Sequence, residues 1–522
     1  MNLFLALQFT PPDVNFTLIL PELIVCVVAV AVMLIDAFAK PTQRWVTGAV
    51  SLGGLAAAAV SCIWLWKDWP DATEAFNGMI VLDGMRLGFT IVFLLVSALT
   101  ILVSMVWVEN ENLPAGEFHS LLLFATTGMM FMASGGDLVI VFLGLEILSI
   151  ATYVMAGFRR TDIRSNESSM KYFILGSFSS AFLLYGIALV YGGTATVAGL
   201  AGTTNIAEIA RRLPDAQYPQ LLFAGAAMML VGFGFKIATA PFHVWTPDVY
   251  EGAPTVVTSF MAAGPKAAGF ASFMRVFLFA FPFVAATTNK TVASQLHEAW
   301  LAALVLLAII TMTVGNVVAI AQNNIKRMLA YSSIAHAGYA LVGFIAAGAT
   351  QDLERRNSAI TAVIFYLLTY AVMNIGAFAV VQLIGRAGDR RTEVEDFNGI
   401  GFQSPVLAFS LTLFLLSLLG MPLTAGFIGK IMVFRAAVDE GFYALVVIGV
   451  LNTAISAYYY LRLIIVMFFR ERTTAWIAPP VPASIGLALI ITAVGVLYLG
   501  LFPGRVIDAL QRKPVVTVSS VR

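Results

Sequence analysis

The chain has 522 residues, of which 60% are hydrophobic and 11% are charged, and its formal net charge is +1. Soluble domains carry about 45–50% apolar and about 25% charged residues, so the composition excludes a water-soluble enzyme. The near-zero net charge excludes a nucleic-acid-binding protein, which needs a basic surface. With 39 Phe, 15 Tyr and 8 Trp, the chain is too rich in aromatic residues to be disordered in water. We predict an all-α polytopic protein embedded in a lipid bilayer.

About fourteen stretches are long and apolar enough to cross a bilayer, which takes about 20 mainly apolar residues. In chain order the predicted spans are 17–39, 44–66, 85–108, 118–136, 137–158, 170–193, 220–243, 254–284, 297–320, 326–349, 357–385, 404–437, 441–469 and 480–503. Alternating runs typical of β-barrel strands are not found, and no strands are predicted. The polar connection near 197–219 is predicted to hold a short amphipathic helix, with Ile206, Ile209 and Leu213 on one side.

The positive charges between the spans predict the orientation, because cytoplasmic loops carry an excess of Lys and Arg. Six basic residues follow even-numbered spans: Lys67, Arg211, Arg212, Lys290, Arg355 and Arg356. Twelve follow odd-numbered spans: Lys40, Arg44, Arg159, Arg160, Arg164, Lys326, Arg327, Arg386, Arg390, Arg391, Arg470 and Arg472. We therefore predict that the odd-numbered connections are cytoplasmic and that both termini face the outer side. The C-terminal basic residues count against this orientation; they are Arg505, Arg512, Lys513 and Arg522.

Three of the nine lysines lie deep in apolar spans, where a charge is costly and is usually functional. They are Lys236 in MMLVGFGFKIATAPFH, Lys266 in SFMAAGPKAAGFASF and Lys430 in MPLTAGFIGKIMVF. The matching acid is Glu146, in VIVFLGLEILSIATYVM. Burial disfavours the charged form of a lysine, and a nearby carboxylate restores it. We hypothesise that these residues load and release protons; the alternative is a static buried ion pair that only fixes packing.

Two further residues are candidates for the same pathway. His336 lies in YSSIAHAGYALVGF, and a histidine can relay protons near neutral pH, although a lone buried histidine is more often a hydrogen-bonded packing residue. Lys171 opens the span SMKYFILGSFSSAF. It is either a pathway residue or an interfacial anchor, and we favour the pathway.

Two predicted spans are interrupted by proline and glycine. Pro241 follows Lys236 by five residues in the seventh span, whereas Pro422 precedes Lys430 by eight residues in the twelfth. Paired interruptions at corresponding places indicate an inverted repeat and its ion path; ordinary proline kinks are the alternative. We predict that spans 4–8 and 9–13 form two inverted five-helix repeats in which helices 7 and 12 are discontinuous. The predicted organisation is one membrane domain (1–522), divided into spans 1–3 (1–117), the first repeat (118–284), the second repeat (297–469) and the last span (480–503).

Residues that could hold a metal or a redox cofactor are not found. The two cysteines, Cys26 and Cys62, lie in apolar runs, and the four histidines are scattered without a pair at helical spacing. No glycine-rich phosphate loop follows a strand. We predict no cofactor and no metal on this chain.

Several stretches resemble the antiporter-like membrane subunits of respiratory complex I, the proton-translocating NADH–quinone oxidoreductase. They are LEILSIATYVMAGF, KYFILGSFSSAFLLYGIALVYG, FKIATAPFHVWTPDVYEGAPTVVTSFMAAGPKAAGF, NNIKRMLAYSSIAHAGYALVG and SLLGMPLTAGFIGKIMVF. The resemblance covers residues 15–505, and its most specific part runs from Lys236 to Lys266. Lys430 stands where the M-type subunits carry glutamate, and the L-type subunits extend into a lateral helix, so the pattern is most similar to the N-type.

This resemblance implies a role for each buried charge. Glu146 matches the fifth-span glutamate that pairs with the seventh-span lysine, which is matched by Lys236. Lys266 matches the eighth-span lysine of the central hydrophilic axis, and Lys430 matches the twelfth-span lysine of the far half-channel. Protons from the cytoplasm would then pass along Lys236 and Lys266 and leave through the Lys430 half, with the direction through this subunit left open.

The resemblance also implies the surroundings of the chain. The partners would be the other membrane-arm subunits of complex I, including further antiporter-like subunits, in a bacterial inner membrane. NADH, flavin, iron–sulfur clusters and quinone would bind those other subunits. The alternatives are an Mrp-type secondary cation/proton antiporter subunit, the equivalent subunit of a membrane hydrogenase, and a structural subunit that only braces the membrane arm.

Overall fold

The computed structural model describes residues 14–38, 44–68, 73–196, 199–282, 291–471 and 480–512, and most of them are helical. The helices are α1 (Leu20–Phe38), α2 (Arg44–Asp68), α3 (Gly84–Asn110), α4 (Ala115–Ser134), α5 (Leu138–Ala156), α6 (Ile163–Gly193), α7 (Ile206–Arg212), α8 (Pro219–Ile237), α9 (Thr246–Gly252), α10 (Thr255–Phe279), α11 (Val292–Ile320), α12 (Ile325–Ala349), α13 (Leu353–Gly385), α14 (Ile400–Gln403), α15 (Pro405–Leu419), α16 (Ala425–Asp439), α17 (Tyr443–Phe469), α18 (Ala483–Leu501) and α19 (Pro503–Gln511).

Eleven helices within the described ranges are long and apolar enough to cross a membrane. Every predicted span coincides with a helix or a pair of helices. Three of the predicted spans, 118–136, 254–284 and 404–437, coincide with helices that are not both long and apolar enough to be among the eleven. The first two correspond to α4 and α10, whose many small or polar side chains lower their hydropathy. The third is divided between α15 and α16, each 15 residues long. The predicted ends at 39 and 283–284 lie outside the described residues.

A small β-hairpin corrects the prediction that the chain has no strands. Strands β1 (Thr73–Ala75) and β2 (Ile80–Leu82) pair antiparallel, with Glu74 opposite Val81. The turn between them contains Gly78, at φ 78°. Each strand has only three residues, which is too short to produce a recognisable alternating pattern in the sequence.

The short amphipathic helix predicted within 197–219 is present as α7. The side chain of Asn205 caps it by accepting a hydrogen bond from the backbone N–H of Glu208 at 3.0 Å. The three predicted apolar positions are buried, namely Ile206, Ile209 and Leu213. Residues 197–198 lie outside the described part of the chain.

The centre of the molecule is formed by α10, α12 and α13. In the most apolar part of α12 and of α13, 94% of the residues are buried, compared with 33% for α6 and for α17. Helix α10 packs against α3, α4, α5, α8, α12 and α13. A helix that is apolar all round belongs inside a core, so Lys266 on α10 and His336 on α12 are enclosed by protein.

Neighbouring helices approach closely where both carry glycine. On α5, a Cβ added to Gly144 would lie 2.8 Å from the carbonyl oxygen of Gly128 on α4. On α6, a Cβ added to Gly186 would lie 2.8 Å from the carbonyl oxygen of Gly225 on α8. Small residues at such crossings allow the backbones of membrane helices to pack tightly.

We expect Gly144→Ala to destabilise the protein by about 1–3 kcal/mol, the usual cost of overpacking a tight contact. The added methyl group would meet backbone atoms of α4, which cannot rotate away. Thermal unfolding of the detergent-solubilised protein measures the change. Gly53→Ala on α2 is the matched control, since a Cβ there has no atom within 4 Å. Equal melting temperatures for the two variants would contradict the tight α4–α5 contact.

A buried ion network joins several connections that follow odd-numbered predicted spans. Arg159 donates from Nε and Nη2 to the Glu111 carboxylate, each at 2.6 Å, and from Nη1 to Asp389 at 2.9 Å. Asp389 also accepts from Nζ of Lys326 at 3.2 Å and from the backbone N–H of Thr255 at 3.0 Å. The connections after spans 3, 5, 7, 9 and 11 therefore meet on one face, which we call the odd face.

Connections that follow even-numbered predicted spans meet separately. The hydroxyl of Thr204 donates to Asp137 at 2.8 Å, and the backbone N–H of Gly136 donates to the carbonyl of Met79 at 2.8 Å. These contacts join the connections after spans 2, 4 and 6, on what we call the even face. Five residues used in the charge count lie outside the described ranges: Lys40, Lys290, Arg472, Lys513 and Arg522.

We expect Asp389→Ala to lower the free energy of unfolding by about 3–5 kcal/mol, because it leaves Arg159 and Lys326 buried without their shared carboxylate. Thermal unfolding in detergent measures this loss. Asp439→Ala is the control: Asp439 lies 4.0 Å from Arg435 on the surface, where ion pairs contribute little. An Asp389→Ala protein as stable as the control variant would contradict the assigned role of the network.

The same carboxylate predicts a pH dependence. Burial raises the pKa of Asp389, but the charges of Lys326 and Arg159 outweigh burial and lower this pKa to about 2. An unfolded aspartate titrates near a pKa of about 3.9. The depressed pKa contributes stability that is complete above about pH 4 and is lost as the pH falls towards 2. The Asp389→Ala variant should therefore lose less stability than the native protein over that acid range.

Candidate functional site

The seventh predicted span is broken beside Lys236. Helix α8 ends one residue after this lysine, and Pro241 lies in the non-helical segment before α9, as predicted. The backbone N–H of Ala240, inside the break, donates to Oγ1 of Thr311 on α11 at 3.0 Å. Such a break is tolerated at membrane depth only where other protein groups satisfy the freed backbone. Lys236 thus occupies the last turn of a helix, where the dipole favours a cation.

The Lys236 ammonium is held by neutral groups. It is 5% exposed, its Nζ donates to Oγ of Ser149 on α5 at 2.9 Å, and it lies 5.8 Å from the ring centroid of Tyr172. Glu146 lies one turn before Ser149 and acts on Lys236 through its charge, but the two do not form an ion pair in the described structure. One oxygen of Glu146, Oε1, is buried without a hydrogen-bond partner. The direct Glu146–Lys236 contact implied by the resemblance is therefore replaced by the serine.

Lys266 lies at the centre of α10 and contacts α12. Its Nζ donates to both the carbonyl and the hydroxyl of Ser333, and it lies 5.7 Å from the ring centroid of Tyr370. A Cβ added to Gly269, one turn further along α10, would lie 3.4 Å from Cγ of Lys236. The structure therefore brings the stems of two predicted lysines to the same face of α10.

His336 follows Ser333 by one turn of α12 and lies among tyrosines. Its Nδ1 is 2.6 Å from the hydroxyl of Tyr366, and its Nε2 is 3.4 Å from the hydroxyl of Tyr460. The Tyr460 hydroxyl is in turn hydrogen-bonded to Ser332. These groups can each donate and accept a proton, so His336 is placed within a polar chain in the core.

The twelfth predicted span is broken beside Lys430, with Pro422 between α15 and α16, as predicted. Nζ of Lys430 donates at 2.9 Å to the carbonyl of Leu419, at the end of α15. The stem of the lysine passes over Gly420, where a Cβ would lie 3.2 Å from Cδ and where φ is 92°. The left-handed φ favours glycine at this position, and a Cβ would also press on the lysine stem. A lysine at the carbonyl end of a broken helix is a typical ion-site arrangement.

Lys430 is also surrounded by neutral groups. Its Nζ lies 4.6 Å from the ring centroid of Tyr339 on α12 and 3.5 Å from Oγ1 of Thr453 on α17. Among the described residues, none of Lys236, Lys266 and Lys430 takes part in an ion pair. The three lysines therefore share one chemical setting, which is a buried amine held by a hydroxyl and an aromatic ring, with a backbone carbonyl added at Lys266 and Lys430.

Lys171 is placed differently from the other candidates. Its side chain is 41% exposed, and Nζ forms ion pairs of 2.8 Å with both Glu167 and Asp248. Asp248 also pairs with Arg327 at 2.7 Å. This half-exposed position at the odd face differs from the buried setting of the other candidates.

Sequence reasoning missed the neutral groups that hold the lysines. Ser149 lies three residues after Glu146, and Tyr339 lies three residues after His336. Residues three apart share a helix face, so this spacing could have identified both. The contacts of Tyr366, Tyr460 and Thr453 come from other helices and carried no such signal.

In the described part of the chain, no group of three or more His, Cys, Asp or Glu side chains could hold a metal ion. Cys26 and Cys62 do not form a disulfide with each other.

Comparison with known proteins identifies the family. The family model described as "NADH:quinone oxidoreductase/Mrp antiporter, TM" matches residues 133–456. NADH-quinone oxidoreductase subunit N of Trichlorobacter lovleyi is 45% identical over 503 residues, which cover 96% of this chain and 97% of that protein. The chain belongs to the NADH-quinone oxidoreductase subunit N family.

Solved structures agree with membership of the subunit N family. A chain of respiratory complex I from Thermus thermophilus with bound aureothin superposes with a TM-score of 0.75 at 35% identity, covering 94% of this chain and 99% of that chain. A chain of the Mrp complex from a Dietzia strain has a TM-score of 0.78 at 19% identity, covering 95% of this chain and 96% of that chain. At that identity the Mrp chain is similar in fold alone.

Proposed function

We propose that this chain is a proton-translocating membrane-arm subunit of NADH–quinone oxidoreductase, in which Glu146, Lys236, Lys266 and Lys430 carry protons. The observation that supports this proposal is the shared setting of the three buried lysines. A lysine in a buried ion pair cannot lose its proton without stranding its partner. A lysine held by hydroxyls and carbonyls keeps its contacts in either state, because the hydroxyl can reverse its hydrogen bond.

The proposed path runs along α10 and α12. Lys236 passes protons to Lys266 across the small face of α10 at Gly269. From Lys266 the path continues through the Ser333 hydroxyl to His336, and then to Lys430 in the second broken helix. Hydroxyls and buried water molecules are proposed to bridge these transfers.

Glu146 is proposed to set the charge of Lys236. Its charge acts on this lysine, and its Oε1 is buried without a hydrogen-bond partner. When Glu146 is ionised it favours the ammonium form of Lys236, and when it is protonated that support is lost. Lys171 is proposed as the member of the proton path nearest to the odd face. Its side chain is half exposed there, and it precedes Tyr172, whose ring faces Lys236.

We further propose that the chain crosses the membrane fourteen times, with spans 4–8 and 9–13 as inverted repeats. The separation of the odd and even faces supports this count, since every helix or broken pair then crosses once. The two proposed repeats also pack alike. In the first repeat α4 contacts α5 and α10, and in the second the corresponding helix, α11, contacts α12 and α17. The predicted boundaries at 1–117, 118–284, 297–469 and 480–503 follow from this arrangement.

The proposed location is a bacterial inner membrane, with the odd face cytoplasmic and both termini on the outer side. The basic residues Arg159, Lys326 and Arg327 at the odd face support this orientation. Flavin, iron–sulfur clusters and quinone are proposed to bind other subunits, which perform the electron transfer from NADH. The chain then contributes only the proton path and its contacts with neighbouring membrane subunits.

A native gel of mildly solubilised membranes tests the proposed assembly. The chain is tagged, and the gel is stained for NADH dehydrogenase activity. We expect the tag in a large NADH-active band. A tag that runs alone or in a small inactive band would contradict the proposal and favour an Mrp-type antiporter; sodium-dependent transport in vesicles without NADH would then identify it.

A further inference from the structure

A polar cluster between α11, α12 and α17 is not used by the proposed proton path. Asn316, on α11, is fully buried, and its amide bridges two tyrosines. Its Nδ2 donates to the hydroxyl of Tyr339 at 3.0 Å, and its Oδ1 accepts from the hydroxyl of Tyr459 at 3.0 Å. A buried amide with both ends satisfied holds its partners in one geometry.

The Tyr339 ring is the surface on which the Lys430 ammonium lies. The 4.6 Å separation between Nζ and the ring centroid is within the range in which a ring face attracts a cation. The Tyr339 hydroxyl also faces the side chain of Thr453, and its ring packs edge-on against Phe434 at 6.1 Å and against His336 at 5.7 Å. The hydrogen bond from Asn316 is therefore one of the contacts that fix how the ring is turned towards Lys430.

We propose that Asn316 is a positioning residue for Lys430, acting through Tyr339. By holding the Tyr339 hydroxyl, Asn316 keeps the ring under the ammonium and so keeps the ammonium beside the Leu419 carbonyl in the broken helix. Neither Asn316 nor Tyr339 needs to carry a proton in this role. The proposal rests on the proposed function, because it assigns a support to one of the proposed proton carriers.

Several groups face Lys430 and define its electrostatic surroundings. The titratable ones come from α12 and α13: Tyr339 and His336 interact with Lys430, and Tyr366 packs beside Gly429, the residue before it. Helix α17 faces it with the Thr453 hydroxyl and α15 with a carbonyl. The only titratable side chain of α18 is Tyr498, which is 38% exposed. A change in how Lys430 holds its proton should therefore appear in the pH profile of pumping.

The test uses the assembled complex in inside-out vesicles, with NADH-driven acidification measured over a series of pH values. We expect Asn316→Leu and Tyr339→Phe each to move the high-pH limb of the pumping profile to lower pH. The expected shift is about 0.7 pH unit, the equivalent of one neutral hydrogen bond. The double variant should shift no further than Tyr339→Phe alone, because both changes remove the Asn316–Tyr339 hydrogen bond. Thr492→Val is the control, since its buried hydroxyl bonds only to carbonyls of its own helix, α18.

A second set of variants separates positioning from a general structural effect. In a Lys430→Arg background, Asn316→Leu should leave the limb in place, because arginine does not titrate there. A shift that persists in this background, additive shifts in the double variant, or no shift from Asn316→Leu and Tyr339→Phe would each overturn the proposal. Tyr339→Phe keeps the packed ring, so it remains informative if Asn316→Leu fails to assemble. If Lys430→Ala itself leaves pumping intact, it is the proposed function that fails.

Discussion

Replacing Lys236 with methionine is expected to lower NADH-driven proton pumping by roughly a hundredfold or more, in the range typical of a positioned proton-transfer group. Methionine preserves the length and apolar packing of the side chain against Gly269 but cannot hold a proton. The hydroxyl of Ser149 then loses its donor, and the route from α8 to Lys266 is interrupted. Pumping and NADH oxidation are measured together in inside-out vesicles.

Two comparisons make this result specific. Lys67→Met removes an exposed lysine at the end of α2 and should leave pumping unchanged. A native gel stained for NADH dehydrogenase activity shows whether the Lys236→Met complex is assembled. Full pumping by an assembled Lys236→Met complex would sink the role assigned to this lysine and favour a subunit that only braces the membrane arm.

Lys430→Ala is expected to lower pumping by a similar factor, roughly a hundredfold, whereas Lys430→Arg should be less damaging if positive charge at that site is what matters. Alanine leaves the Leu419 carbonyl without its donor and the Tyr339 ring without its cation. Arginine keeps a positive charge that can donate to the carbonyl and stack on the ring. The ratio of protons pumped to NADH oxidised measures both variants on the same scale.

The two Lys430 variants also distinguish two roles of the charge. If Arg and Ala are equally damaging, the proton released by Lys430 is essential, because arginine does not release one. If Arg preserves most of the pumping, a fixed charge beside the broken helix suffices. No loss in the Ala variant would remove Lys430 from the proposed path altogether.

The sequence alone predicted much of the fold because the bilayer imposes a strong and local rule. A span must be apolar over about 20 residues and must satisfy its own backbone, so each predicted stretch coincides with helix. Proline and glycine beside Lys236 and Lys430 predicted both helix breaks for the same local reason. The hairpin at Thr73–Leu82 was missed because strands of three residues are too short to show a recognisable alternation of apolar and polar residues within a connection.

Tertiary structure alone decided what the buried charges contact. Lys236, Lys266 and Lys430 could be recognised from the sequence because a charge in an apolar span is exceptional. Their partners could not, because Ser149, Ser333 and the tyrosines are ordinary residues until helices far apart in sequence pack together. Helix packing likewise placed Ser149 rather than Glu146 against Lys236, and Asn316 behind Tyr339. Hydropathy is a property of each segment, whereas a hydrogen bond between helices depends on the register and rotation of both.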